Sequence, residues 1–285
     1  MYLAGTMKGN RMIFLDPKSD IAFKKLFGDI RHKDILISFL NGVLERTEGE
    51  KIIDVSFTDP HNIPETLDSK KSIVDVRCTD QLNNHYIVEM QVINHDDYIA
   101  RTQYYSAVAL ARQLASGHRY QQLVPVIFIG ILDFKIFKSD SCVSHHYILN
   151  DKTHEHALKH LSFHFIELIK FNKKLEELST ILDKWIYFLR YADGLQKVPA
   201  SLKDPVITEA FDVLEQGNWS NSELTAYDSY LDALRTTVSH IETAERRTKF
   251  EIAQALLDIL DIHTIAKKTG LSISEIETLK KNKQE

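Results

Sequence analysis

Residues 72–93, SIVDVRCTDQLNNHYIVEMQVI, decide how this chain is read. Two runs alternate with period two around an Asn-rich connection. In the first, Val74, Val76 and Cys78 share one face, and Ile73, Asp75, Arg77 and Thr79 the other. In the second, Tyr86, Val88, Met90 and Val92 share a face, opposed by Ile87, Glu89, Gln91 and Ile93. Such alternation marks β-strands, whose successive side chains point to opposite sides. Gln81–Leu82–Asn83–Asn84 between them has the composition of a hairpin connection. With Leu82–Asn83–Asn84 as the loop, Asp75 faces Gln91 and Arg77 faces Glu89. Asp75 and Glu89 then form a diagonal pair about 7 Å apart at Cβ. A loop one residue shorter or longer puts the two carboxylates on opposite faces.

Two carboxylates closing on one side of a hairpin suit a hard divalent cation, bound through oxygens at about 2.1 Å. Phosphodiester hydrolysis requires an activated water and neutralisation of the charge that builds on the phosphate. A Mg²⁺ ion held by carboxylates supplies both. Gln91 can position a water or a phosphate oxygen, but an amide does not titrate near neutrality and is no general base. The competing reading is a solvated sheet face, where polar alternation is ordinary. The pattern alone leaves both open.

Outward from the hairpin, Asp16–Gly28 (DPKSDIAFKKLFG) opens with turn chemistry and continues as a helix, with Ser19 or Asp20 as N-cap. A second helix is expected from His32 to Glu45, and a strand from Lys51 to Thr58, before a loop marked by Pro60 and Pro64. After the hairpin a helix is expected over Tyr98–Ser116, closed by Gly117. Leu123–Leu132 is a continuous apolar run suited to a strand covered on both faces. Weaker strands fall at His146–Leu149 and Ser162–Leu168. Everything from Leu175 reads helical, including a stripe through Trp185 and Leu189, Asp204–Pro205 as N-cap and N1, and a long helix over Asn221–Asp258. Residues 262–282 have the two-helix pattern of a helix-turn-helix around Gly270. Glu275 and Glu277 in its second helix suit a phosphate-facing surface poorly. The expected domains are therefore 12–172, α/β, and 173–285, helical. Residues 1–11 stand outside the fold argument, with Met7 and Met12 as alternative starts.

Composition narrows the function classes. The chain has 285 residues, 44% hydrophobic and 26% charged, and a formal net charge of −5. That balance suits a globular protein with a sizeable core and excludes a polycation that coats DNA. Two cysteines, Cys78 and Cys142, make neither a disulfide framework nor a zinc motif, which points to a reducing, cytoplasmic setting. No apolar run approaches the roughly 20 residues that span a bilayer, so no membrane partner is expected. His145, His146, His154, His156, His160 and His164 lack HExxH spacing and cysteine partners.

Several ordered blocks resemble the Rpn family of recombination-promoting nucleases, also called PD-(D/E)XK nuclease family transposases. They are Asp16–Gly28, Ser72–Asp80 (SIVDVRCTD), His85–Val92 (HYIVEMQV), Arg101–Leu114 (RTQYYSAVALARQL), Val124–Phe134 (VPVIFIGILDF), His164–Phe171 (HFIELIKF) and Asp183–Leu189 (DKWIYFL). The resemblance implies a restriction-endonuclease-like PD-(D/E)XK core, a mixed β-sheet flanked by helices, followed by the all-helical region. It implies Mg²⁺- or Mn²⁺-dependent cleavage of double-stranded DNA, without an organic cofactor. Asp75 and Glu89 match the metal-binding acids, joined by the main-chain carbonyl of Met90. Gln91 stands where the wider superfamily has lysine. Asp20, in the first-helix block, is a further acidic candidate, with an N-cap as its other reading. Arg101, Lys24, Arg77 and Tyr105 are the candidate DNA contacts. Arg77 is equally a charge partner for Glu89, and Tyr104 and Tyr105 read better as core packing. A homodimer would set two sites for double-strand cleavage, and a role in recombination or transposition follows from the family name. The alternative is a catalytically inactive member that binds DNA or protein.

Overall fold

A computed structural model describes residues 13–58, 75–114 and 119–284. The alternative starts, the loop prolines, Ile73, Val74 and Gly117 lie outside the described residues.

The first compact unit runs to Asp228. It contains α1 (Asp20–Phe27), α2 (Lys33–Val43), β1 (Val55–Phe57), β2 (Val76–Asp80), β3 (His85–Gln91), α3 (Tyr98–Ala111), β4 (Val126–Leu132), β5 (Val143–Ile148), β6 (Leu158–Glu167), α4 (Ile181–Tyr191) and α5 (Pro205–Leu214). The six strands form one mixed sheet in the order β1-β2-β3-β4-β6-β5. β1, β2 and β3 pair antiparallel. β3 pairs parallel with β4, and β4 with β6, before β5 returns antiparallel. The parallel step between β3 and β4 requires a crossover, which α3 supplies. All seven residues of β4 are buried, as expected of an apolar run covered on both faces.

The helices form where their caps and stripes agree. Ser19 Oγ caps α1 by accepting the Ala22 N–H, which leaves Asp20 in the first turn as a side chain and not a cap. Ala22, Phe23, Leu26 and Phe27 are the buried stripe of α1. Thr180 and Asp183 cap α4 reciprocally. Trp185 of α4, fully buried, meets the rings of Phe27 and Phe39 and donates its indole N–H to Ser38 Oγ at 3.1 Å. Phe211 of α5 packs edge-on to Phe188 and Phe14. α4 and α5 thus share the core of α1 and α2, and the expected division at 172/173 falls inside this unit. Apolar stripes on the later helices are partnered by the N-terminal helices, a pairing that chain order does not reveal.

The helix α6 (Asn221–Leu256) begins in the first unit, and most of it belongs to the second, which spans Ser229 onward. There α7 (Ile262–Thr269) and α8 (Ile273–Gln284) close a small core of Ala253, Ile265, Leu271 and Ile276. Gly270 ends α7 with φ 73°, in the left-handed region that glycine enters without steric cost. Among the described residues no helix is long and apolar enough to cross a membrane.

Candidate metal and nucleic-acid site

The hairpin register differs from the expected one by two residues. Val76 faces Val88 and Arg77 faces Ile87, so Arg77 is not across from Glu89. The turn supplies the reason. The loop is Gln81–Leu82–Asn83, because Asp80 Oδ1 accepts the backbone N–H groups of Leu82 and Asn84 at 2.8 and 2.9 Å. Asp80 Oδ2 also accepts from the Asn84 amide and the Tyr86 hydroxyl. Asn83 takes the left-handed conformation, φ 62°, which asparagine tolerates. Moving a three-residue loop back by one residue shifts the pairing by two and leaves every side chain on its expected face. Continuing this register brings Asp75 directly beside Glu89, with Cβ atoms roughly 5 Å apart in place of a diagonal.

Asp75 sits just before β2, and its Oδ2 accepts the Met90 backbone N–H at 2.7 Å. The Gln91 carbonyl accepts from the Asp133 N–H at 2.9 Å, toward β4. Carbonyls alternate along a strand, so that of Met90 opens toward Asp75. Glu89, 3% exposed, accepts from the Gln91 side-chain amide at 3.0 Å through Oε1. The Arg101 guanidinium stands 4.0 Å from the same oxygen and lies over the Tyr98 ring at 5.4 Å. Glu89 Oε2, the Tyr98 hydroxyl and Arg101 Nε are buried without hydrogen-bond partners.

Burial pushes the Glu89 carboxyl up to about 7. The charge of Asp75 adds to this, against the pull of Arg101 and Gln91. Asp75 is pushed up to about 6, first by burial. The Met90 N–H and Lys24 oppose that rise, and the Asp20 carboxylate, close enough to hydrogen-bond, adds to it. Asp20 pairs with Lys24 at 2.7 Å, both partly exposed. The structure therefore brings Asp75, Glu89, Gln91, Met90, Arg101, Asp20 and Lys24 into one neighbourhood.

These residues fit a divalent cation. An orphaned carboxylate oxygen, two adjacent carboxyls held against ionisation and an inward backbone carbonyl are each relieved by positive charge. Among the described residues no three Asp, Glu, His or Cys side chains converge on one metal position. The residues that could hold a cation are therefore the two carboxylates and the Met90 carbonyl, with water completing its shell.

The other candidates separate. Arg77 keeps its face but lies beyond Glu89, near Arg112. Tyr105 packs against the core beneath α3, as expected. Tyr104 is 53% exposed and only edges Tyr105, so core packing fails for it. His145 and His164 hydrogen-bond to each other at 2.7 Å. Burial, then His145, pushes His164 down to about 3.

Sequence reasoning missed Tyr98 and Gly130. Gly130 lies beside Glu89 in the sheet, and a Cβ there would come within 2.7 Å of the Tyr98 hydroxyl. A lone glycine inside VIFIGIL was the available signal, since it marks close approach of a neighbour.

A mixed sheet whose antiparallel hairpin feeds a parallel crossover, with Asp, Glu and Gln set on one face of the hairpin, defines a PD-(D/E)XK nuclease-like scaffold. The family model for PD-(D/E)XK nuclease family transposases matches residues 17–244. The chain belongs to that family. No curated protein and no solved structure matches it significantly.

Proposed function

We propose that this protein is an endonuclease that hydrolyses phosphodiester bonds of double-stranded DNA with the help of Mg²⁺ or Mn²⁺. The observation that carries the reading is the pair Asp75–Glu89, with Glu89 buried and Asp75 partly buried. One oxygen of Glu89 meets no donor, and both carboxyls are raised above the usual carboxylate range, first by burial and then by a neighbouring carboxylate, Asp75 for Glu89 and Asp20 for Asp75. Such a pair is costly unless a cation completes it.

Asp75, Glu89 and the Met90 carbonyl would hold the ion. When bound, it activates water and neutralises charge developing on the phosphate. The chain's own side chains do the rest. Gln91, tied to Glu89 at 3.0 Å, keeps that carboxylate in one orientation and offers its amide to a water. Arg101 holds its guanidinium over the Tyr98 ring, 4.0 Å from Glu89, and is suited to a non-bridging phosphate oxygen. Lys24, paired with Asp20, balances the acidic cluster and meets the DNA backbone. Tyr105 supports the Arg101 face of α3. A homodimer in the cytoplasm, acting in recombination or transposition, is the biological form this reading favours.

Nicking of supercoiled plasmid tests it. Wild-type protein with Mg²⁺ or Mn²⁺ relaxes and linearises the DNA, chelator stops it, and Asp75→Ala loses about 10²–10³-fold, as expected when transition-state charge loses one preorganised stabiliser. Intact plasmid with both metals, or full activity in Asp75→Ala, ends the nuclease proposal. Where the plasmid stays intact, metal-independent DNA binding would favour the inactive-scaffold alternative.

A further inference from the structure

On the face of the sheet that carries Asp75 and Glu89, the register places two further rows. Arg77 and Ile87 form the next row, and Thr79 and His85 the one after. With about 3.3 Å per residue, these rows lie roughly 7 and 13 Å from the carboxylates. Arg112 caps the C-terminal end of α3. It is eleven positions after Arg101 and therefore on the same helical stripe, and its charge faces that of Arg77. Burial, and then the charge of Arg77, lowers the pKa of the His85 imidazole and favours its neutral form. Arg77 Nε is buried with no hydrogen-bond partner. Asp80, whose charge acts on His85, is spent on the turn, the Asn84 amide and the Tyr86 hydroxyl. Two guanidiniums that repel one another, one with an unmet buried donor, beside a neutral imidazole that can offer a ring N–H, are arranged for an anion.

We infer that Arg77, Arg112 and His85 form a second phosphate subsite, which grips the DNA strand beyond the scissile bond. One strand of DNA advances about 3.4 Å of axis per phosphate, so rows at roughly 7–13 Å correspond to contacts two to four nucleotides away. The subsite rests on the nuclease reading for its position, but its binding function does not require catalysis. It explains why Arg77 and Arg101 diverge along the sheet: one serves the reacting phosphate, the other a phosphate that fixes the strand's register.

The test is fluorescence anisotropy on a labelled 30-base-pair duplex in Ca²⁺, across a salt series, with wild type, Arg77→Gln, Arg112→Gln and the double variant. Each phosphate contact contributes about 0.9 to the slope of log affinity against log salt. The double variant is expected to lose about 1 from that slope, and Arg112→Gln, at an exposed site, to lose part of it while keeping the wild-type melting temperature. Neutral methylphosphonate linkages two to four nucleotides from the cut weaken wild-type binding and leave the double variant unaffected. An unchanged slope in folded Arg112→Gln and the double variant overturns the subsite, whatever the cleavage result. If the slope falls but wild type never cleaves with Mg²⁺ or Mn²⁺, the subsite stands and the catalytic reading falls.

Discussion

Replacing Glu89 by glutamine separates the acid's electrostatic cost from its chemical use. The folded protein raises this carboxyl from its ordinary 4.5 to about 7. Each tenfold in proton affinity is worth about 1.4 kcal/mol, so ionising Glu89 in the metal-free protein costs about 3 kcal/mol. The folded state binds this proton more tightly than the unfolded chain. Stability therefore falls as pH rises from about 4.5 to about 7, then levels off. Asp75, raised to about 6, steepens the same fall at its acid end. The repulsion between the two groups belongs to both and is counted once. Glutamine keeps the shape and carries no charge. Metal-free Glu89→Gln at pH 8 should thus be more stable than wild type by up to about 3 kcal/mol, roughly 6–12 °C in melting temperature for a chain this size. Magnesium reverses the order. It should raise the wild-type melting temperature at pH 8, do little at pH 5, where the carboxyls keep their protons, and do nothing for the variant. Scanning calorimetry at both pH values, with and without 10-millimolar-scale Mg²⁺, makes the comparison. A wild-type protein whose stability does not fall relative to Glu89→Gln between pH 5 and 8 refutes the electrostatic argument. Equal Mg²⁺ stabilisation of the variant refutes the role of Glu89 as a ligand.

Three further expectations follow from particular contacts. Arg101→Ala removes the guanidinium that opposes the rise of Glu89. The apparent pKa of the acid limb of cleavage should move upward, and the salt slope of DNA binding should drop by about 1; an unchanged pH–rate profile and slope would remove Arg101 from the site. Gly130→Ala places a methyl group against the Tyr98 hydroxyl and the Phe165 ring, at 2.7 and 2.9 Å. Overpacking there should cost about 1–3 kcal/mol and, by shifting α3, lower activity more than stability alone explains, as read from denaturant unfolding beside nicking rates. Gly270→Ala meets no neighbour but must hold φ 73°. Chemical denaturation should show a loss of about 1–2 kcal/mol in the small C-terminal unit, and nicking by the first unit should persist.

The division between sequence and tertiary structure runs through the hairpin. Alternation alone determined that Asp75, Arg77, Glu89 and Gln91 share one face, since a strand's period is two whatever it pairs with. The apolar run of β4 announced a strand buried on both sides, and Asp204 and Gly270 punctuated their helices as short-range chemistry dictates, while the cap of α1 stayed open between Ser19 and Asp20 until the structure chose Ser19. Register was decided elsewhere. Whether the loop was 81–83 or 82–84 depended on which hydrogen bonds the Asp80 carboxylate made, and those include the hydroxyl of Tyr86 on the neighbouring strand. That choice made Asp75 and Glu89 direct neighbours and sent Arg77 toward Arg112. The partners of α4 and α5 were likewise invisible along the chain, because an apolar stripe states that a face is buried and not what buries it. The raised carboxyls of Asp75 and Glu89 come from burial and from neighbouring carboxylates, Asp20 beside Asp75 and Asp75 beside Glu89, quantities that arise only when α1, β2, β3 and α3 close together. Local pattern thus set which residues face the site, and long-range packing set the distances and charges among them.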